Sequence, residues 1–513
     1  MRLQRSLQNA AVGIFGQLFS VVLNFLTRMV FVRTLSQEYL GIEGLFSSLL
    51  LMLSLAELGI GSAIIYSLYE PLAKKNRPQI RALMDLYRKA YWTIALIVGV
   101  TGLLLSFKLQ WFIKEMPDIP NLQLYFLIFV ANTAVSYLYS YKGSLIQADQ
   151  KQYIVSLWQY GFTLLMCVTQ ITILLLFESY LGFLLTMLAA TFFQNFSISL
   201  VTDRMYPFLK DKEPLEKIEP DTLDKIKKNT FALVLHKVAG IASTPTTNLI
   251  LSTFIGLQVV AVYANYLLFT NALQRLIDKV FDAAVASVGN LGVTAGRDRQ
   301  LAVFNVALYI NAFLGALVAV PLLAVFANAM YLFFGESYVF EFHIELAIVA
   351  LFFLKTIRTA ALSFTSAFGL YWFTRWKAVI ETIVLVLLSL VAAQYFGIVG
   401  ILVANSFTSL FVSGAIEGYM LFKHGFKVSS VSYFARVLGY SIGTLALAIG
   451  VHFALAAVGT TTLFTLLLRG ILAVLVTVIV FVAATCWLPE FKQFKAFVTQ
   501  ALALIFRRRK NNE

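Results

Sequence analysis

Gln17, Asn24 and Arg28 lie in the first long apolar segment of this chain, spaced by seven and then four residues. On a helix of 3.6 residues per turn that spacing puts all three within about 40° of arc on one face. Two amides and a guanidinium in a row offer donors to an anion and partners to hydroxyl groups. Setting position i against i+220 brings Lys237, Thr244 and Asn248 to the equivalent places in the second half, again on one face. Another stripe, Asn271, Arg275, Asp278 and Asp282, falls within about 60° and has Lys279 beside it. In the second segment Glu43, Ser47, Ser54, Glu57 and Gly61 form a further stripe. Each charge placed inside a membrane is unfavourable by about 2.5–3.5 kcal/mol, so such faces are expected to look into a water-filled cavity lined by both halves. Acidic groups there can bind a proton or Na⁺, which makes Glu57, Asp278, Asp282 and Glu381 candidates for ion coupling. The plainer expectation is that they pair with Arg28, Arg275, Lys279 or Arg375.

The elements that carry these residues are membrane crossings. The chain has 513 residues, of which 59% are hydrophobic and only 13% charged, and its mean hydropathy is +0.81. A soluble domain, with about a quarter of its residues charged, is excluded. A helix needs about 20 mainly apolar residues to cross the bilayer, and fourteen segments approach or exceed that length: 11–33, 41–69, 90–113, 122–142, 154–177, 180–203, 230–254, 259–289, 303–327, 344–367, 378–395, 397–422, 433–456 and 463–487. Their continuity excludes barrel strands, which alternate over about 10 residues. The expected fold is an all-α polytopic membrane protein. It would comprise a six-helix bundle over 1–203, a cytoplasmic connector over 204–229, a second six-helix bundle over 230–422, an additional helix pair over 423–487 and a basic tail over 488–513. Because both halves would start on the same side, the repeats are expected to be parallel, as in transporters that rock one bundle against another.

Positive charge fixes the expected orientation. Lys74, Lys75 and Arg77, the Lys210–Lys228 stretch, Arg297 and Arg299, Lys423 and Lys427, and Arg507 to Lys510 all fall on the side of the termini, whereas only Lys108 and Lys114 lie clearly opposite. The positive-inside rule therefore puts both termini in the cytoplasm. That asymmetry accounts for most of the net charge of +14 without nucleic acid as a partner, and the basic tail is expected to rest on anionic headgroups. The first segment is too long for a secretory signal and is read as a retained crossing.

What is missing narrows function further. There is no G-x-x-x-x-G-K-[ST] loop for ATP, and His236, His343, His424 and His452 show no metal-ligand spacing. The outer loops are too short to hold a catalytic domain, so an enzyme, and a membrane glycan polymerase or ligase in particular, is not expected. Cys167 and Cys486 lie far apart within crossings and are expected to pack rather than pair. Arg33 is expected to snorkel to the outer interface. Lys355 and Arg358, in the middle of the tenth crossing, could be sheltered by neighbouring aromatic rings.

Three stretches carry a family resemblance. The run that opens EYLGIEGLFSSLL at Glu38 and continues through LAELGIG to DLYRKAY resembles the signature region of the bacterial polysaccharide-transporter family, the Wzx-type oligosaccharide flippases, within the multidrug/oligosaccharidyl-lipid/polysaccharide exporter superfamily. YKGSLIQADQKQYI from Tyr141 and VVAVYANYLLFTNALQRLIDKVF from Val259 are similar to later parts of that family. The resemblance implies a flippase of the bacterial cytoplasmic membrane. It would carry undecaprenyl-pyrophosphate-linked oligosaccharide from the inner to the outer leaflet for a capsule, exopolysaccharide or related surface glycan, by alternating access through a cationic cavity. Arg28, Arg275 and Lys237 would then meet the pyrophosphate, and Gln17, Asn24, Asn248, Asn265 and Asn271 the sugars. It also implies functional association with glycosyltransferases and a polysaccharide polymerase, no cofactor beyond a coupling proton or Na⁺, and membrane lipid as the surroundings. The alternative within the superfamily is an ion-coupled multidrug or organic-cation antiporter, which would be expected to present an acidic or aromatic cavity instead.

Overall fold

The computed structural model describes residues 2–57, 60–211, 243–294, 296–370, 373–458 and 462–495. Among them every regular element is helical. The first is α1 (Arg2–Thr34), followed by α2 (Gln37–Leu53) and α3 (Ile60–Ala73), the two halves of the second crossing. Then come α4 (Arg77–Ser106), α5 (Leu122–Ala148), α6 (Gln152–Phe177) and α7 (Tyr180–Met205). After the connector follow α8 (Ser243–Phe254), α9 (Leu257–Thr294), α10 (Arg297–Phe334), α11 (Phe342–Thr356) and α12 (Thr359–Ala367). The series closes with α13 (Lys377–Phe407), α14 (Val431–Ala454) and α15 (Leu463–Thr485).

Nine of the described helices are long and apolar enough to cross a membrane unaided. One of these, Val379–Phe426, contains two crossings. Gly397 stands at φ 56° and ψ −137°, a conformation that only a residue without a Cβ adopts readily. Three residues on, Gly400 lies so close to the Ala392 carbonyl that a Cβ would collide with it, which shows the chain doubling back. Four further crossings are α1, the α2–α3 pair, α8 and α9. The description of α8 starts only at Ser243. The described residues thus form an all-helical polytopic membrane protein, as expected.

Three departures from the expected spans have local causes. α4 starts at Arg77, thirteen residues ahead of its apolar stretch, because the Asn76 side chain accepts a hydrogen bond from the Gln79 N–H (3.1 Å) and Pro78 occupies the first turn. The second crossing breaks after Leu53 into a tight 3₁₀ turn, Ser54–Glu57, where the Ser54 hydroxyl takes the Leu50 carbonyl (2.8 Å). The tenth crossing breaks at Ile357 and Arg358, between α11 and α12. Asn311 of α10 donates to the Thr356 and Ile357 carbonyls (2.9 and 3.0 Å), satisfying acceptors that the break releases.

Packing divides the chain into two compact units, Met1–Ala264 and Asn265–Glu513. In the first, α5 packs between α4 and α7, α1 lies along α6, and α2 lies along α8. Its core is rich in tyrosine: Tyr87, Tyr91, Tyr137 and Tyr141 stand among Leu83, Ile94, Val98 and Leu145. In the second, α10 is flanked by α11, α14 and α15. Phe304 is its hub, with Phe364, Phe422 and Phe426 at ring distances of 5.1, 5.4 and 5.2 Å. Cys167 is buried as expected, but Cys486 is exposed. It caps the end of α15.

Candidate functional site

Arg28 finds its partner on the next crossing. Thr34 and Gln37 are separated by a short turn, so the last turns of α1 and the first turns of α2 lie side by side. Arg28 Nη1 stands 3.3 Å from Glu43 Oε2, with both side chains partly exposed. Tyr180 lies near the pair, its ring 4.8 Å from that of Tyr39 and 5.0 Å from that of Tyr125. An ion pair still partly open keeps donors available for a second anion. One helix over, the buried Asn248 donates to the Ser48 hydroxyl (3.0 Å) while its own carbonyl oxygen has no partner.

The break between α2 and α3 presents Glu57 to tyrosine hydroxyls. Tyr91 donates to Glu57 Oε1 at 3.3 Å, and Tyr137 lies 6.0 Å from Tyr91, ring to ring. Neutral donors hold this carboxylate, and among the described residues no Lys or Arg pairs with it.

The second unit holds a denser cluster. Arg358, at the break in the tenth crossing, donates from Nε and Nη2 to the two oxygens of Glu417 (3.0 and 2.7 Å) and from Nη1 to the Ser409 hydroxyl (2.7 Å). Glu381 Oε1 lies 3.7 Å from Arg358 Nη1, and Lys377 also pairs with Glu417. The two carboxylates therefore share two or more cations inside apolar surroundings, and the fork-on-carboxylate geometry fixes the angle between crossings. Glu381, one of the coupling candidates, thus has Arg358 beside it. Aromatic shelter for Arg358 was expected. Carboxylates shelter it instead, and among the described residues no ring stacks on its guanidinium.

The remaining candidates distribute as follows. Gln17 is partly exposed on α1, and Asn24 is exposed and donates to its own helix at the Ser20 carbonyl (2.8 Å). Asn271 and Arg275 are exposed on α9, and Arg275 has no ion-pair partner among the described residues. Asp278 accepts from the Gln274 amide (2.8 Å), whose oxygen accepts from Thr356 (2.5 Å). Asn265 is fully buried. Lys237 lies outside the described residues, as does the side chain of Asp282. Glu417, Ser409, Lys377 and the buried Glu345 were not singled out from the sequence. A signal existed for two of them: Glu417 and Glu345 are acidic residues within apolar spans, and such residues mark themselves by their rarity.

The helical arrangement is that of known membrane transporters. The chain superposes on the lipid II flippase MurJ in an inward closed conformation with a TM-score of 0.64, at 13% identity over 93% of this chain and 99% of that one. An inward-facing multidrug resistance MATE family transporter of the MOP superfamily gives 0.61, at 11% identity over 83% and 95%. A Vibrio cholerae MATE transporter, VcmN, gives 0.56, at 14% identity over 83% and 99%. No protein-family model matches the sequence, and no curated protein matches it. The likeness is therefore one of fold, and the fold is one used by MOP-superfamily transporters.

Proposed function

We propose that this protein is a flippase of the MOP superfamily, of Wzx type, which moves undecaprenyl-pyrophosphate-linked oligosaccharide from the inner to the outer leaflet of a bacterial cytoplasmic membrane by alternating access. The observation that carries this reading is Arg275: a guanidinium exposed in the middle of a crossing, with Asn271 and Lys279 exposed on either side of it along α9 and no ion-pair partner among the described residues. A permanent cation placed there calls for an anion, and a pyrophosphate leaving water needs donors to replace its hydration. Arg28, partly open beside Glu43, supplies a second cation, and Gln17, Asn24 and Asn271 supply groups that pair with sugar hydroxyls. The organic-cation alternative would leave these basic groups without a purpose. Glu57, which accepts from the Tyr91 hydroxyl, and Asp278, which accepts from the Gln274 amide, are candidates for binding a coupling proton or Na⁺, and Glu381 is already within reach of Arg358. Glycosyltransferases that build the oligosaccharide and a polymerase that consumes it would be its functional partners.

The test is reconstitution of the full chain into vesicles with a fluorescent polyprenyl-pyrophosphate oligosaccharide, scoring the headgroup that becomes accessible to a membrane-impermeant quencher. Arg275→Gln is expected to lower the rate at least tenfold and Arg275→Lys less, with Arg28→Gln behaving like Arg275→Gln. A wild-type protein that leaves the lipid in place but expels an organic cation would establish the antiporter instead.

A further inference from the structure

A carboxyl group at the other end of the tenth crossing belongs to neither cluster. Glu345 sits in the first turn of α11 and is 1% exposed. Its Oε1 accepts a hydrogen bond from the Tyr266 hydroxyl at 2.6 Å, and that hydroxyl accepts in turn from the main-chain N–H of Phe340 at 3.0 Å. Tyr266 is itself fully buried, with the rings of Phe326 and Phe340 at 4.8 and 5.1 Å. One carboxyl thus ties together α9, the turn before α11, and α11.

No counter-charge faces it among the described residues. α9 contributes Tyr266, and α10 has no charged residue from Gln300 to Phe334, its tyrosines being Tyr309 and the exposed Tyr331. α13 and the helical turns after it carry none between Glu381 and Glu417. The turn before α11 brings Glu336, Tyr338 and Glu341, the last pairing with His343 at 3.3 Å, both exposed. α14 brings His452, whose ring lies 4.7 Å from Phe342 and whose Nδ1 meets the Leu323 carbonyl at 3.0 Å. An ionised carboxylate sealed in this setting would have the Tyr266 hydroxyl and the Ala327 main-chain N–H as donors but no cation among the described residues, a state disfavoured by several kcal/mol. The neutral acid keeps the Tyr266 bond at Oε1 and avoids that cost.

We propose that Glu345 is a proton-binding site of the transport cycle. It holds the proton while α9, the 336–341 turn and α11 are closed around it, and it returns the proton to water when those elements part and admit solvent. Proton binding and closure are then linked, so a pH difference across the membrane biases the conformational equilibrium. The inference rests on the transporter reading above, but its first test does not require transport.

The full chain in phosphatidylethanolamine–phosphatidylglycerol vesicles is titrated by infrared difference spectroscopy, following the C=O band of protonated carboxyl groups. The expected result is a band that persists at neutral pH, disappears in Glu345→Gln, shifts in frequency in Tyr266→Phe through loss of its hydrogen bond, and survives in Glu345→Asp. An unchanged band in Glu345→Gln overturns the assignment. In flipping assays under imposed pH gradients, Glu345→Gln is expected to lose the dependence of rate on the gradient, and a gradient dependence equal to wild type overturns the link to transport. A wild type that moves no lipid-linked sugar would sink the flippase reading while leaving the infrared result to decide the proton site.

Discussion

At the scale of single residues, the two ion pairs at the candidate sites join different crossings. Arg28 reaches Glu43 and Arg358 reaches Glu417, each on a neighbouring crossing. Removing one member of a buried pair is more damaging than removing both, because the survivor is left without a partner. Glu417→Gln is accordingly expected to destabilise the protein by about 3–5 kcal/mol, since Arg358 and Lys377 both depend on it, while Arg358→Met combined with Glu417→Gln recovers part of that loss. A double-mutant cycle on thermal unfolding in detergent measures the coupling, and additive effects would refute it. The polar stripes were legible in the sequence because helical periodicity alone puts residues on a face. Their partners were not legible, because a pair such as Arg358 with Glu417 joins positions 59 residues apart, and no local pattern records which crossings become neighbours.

At the scale of elements, hydropathy located the crossings and missed their interruptions. An average over 18 or 20 residues passes smoothly over the break at Ser54–Glu57 and the one at Ile357–Arg358. Both are nevertheless where charge enters the membrane, because a broken helix frees main-chain groups and admits polar side chains that an intact one excludes. Asn311 is the device that makes the second break tolerable, with two carbonyls on a single amide. Asn311→Leu leaves both acceptors buried and unmet and is expected to lower stability by about 1–3 kcal/mol, with faster hydrogen exchange concentrated around 354–362. Uniform protection across α10 to α12 in the variant would show that the amide does not hold the break.

At the scale of the molecule, the all-helical membrane-spanning character followed from composition and length. The division into two compact units, 1–264 and 265–513, depends on which helices pack, and hydropathy is silent on that. Orientation is testable directly. In a Cys486→Ser background, which removes the exposed native thiol, Lys74→Cys is expected to react with an impermeant maleimide only from the cytoplasmic side and Glu115→Cys only from the opposite side. The reverse pattern would invert the whole topology.

The twelfth crossing has one more property that follows from its winding. Two stretches, Thr408–Gly414 and Leu421–Phe426, are wound as π-helix, and Glu417 lies in the short α-helical piece that separates them. Each wide coil stores surplus chain relative to ordinary winding. Moving that surplus along by one position exchanges one main-chain bond for another and swings the intervening side chains by about 100°. A guanidinium and an ammonium clamp Glu417 in that middle piece, so the rod turns there only when the clamp lets go, like a slack rope held at its knot.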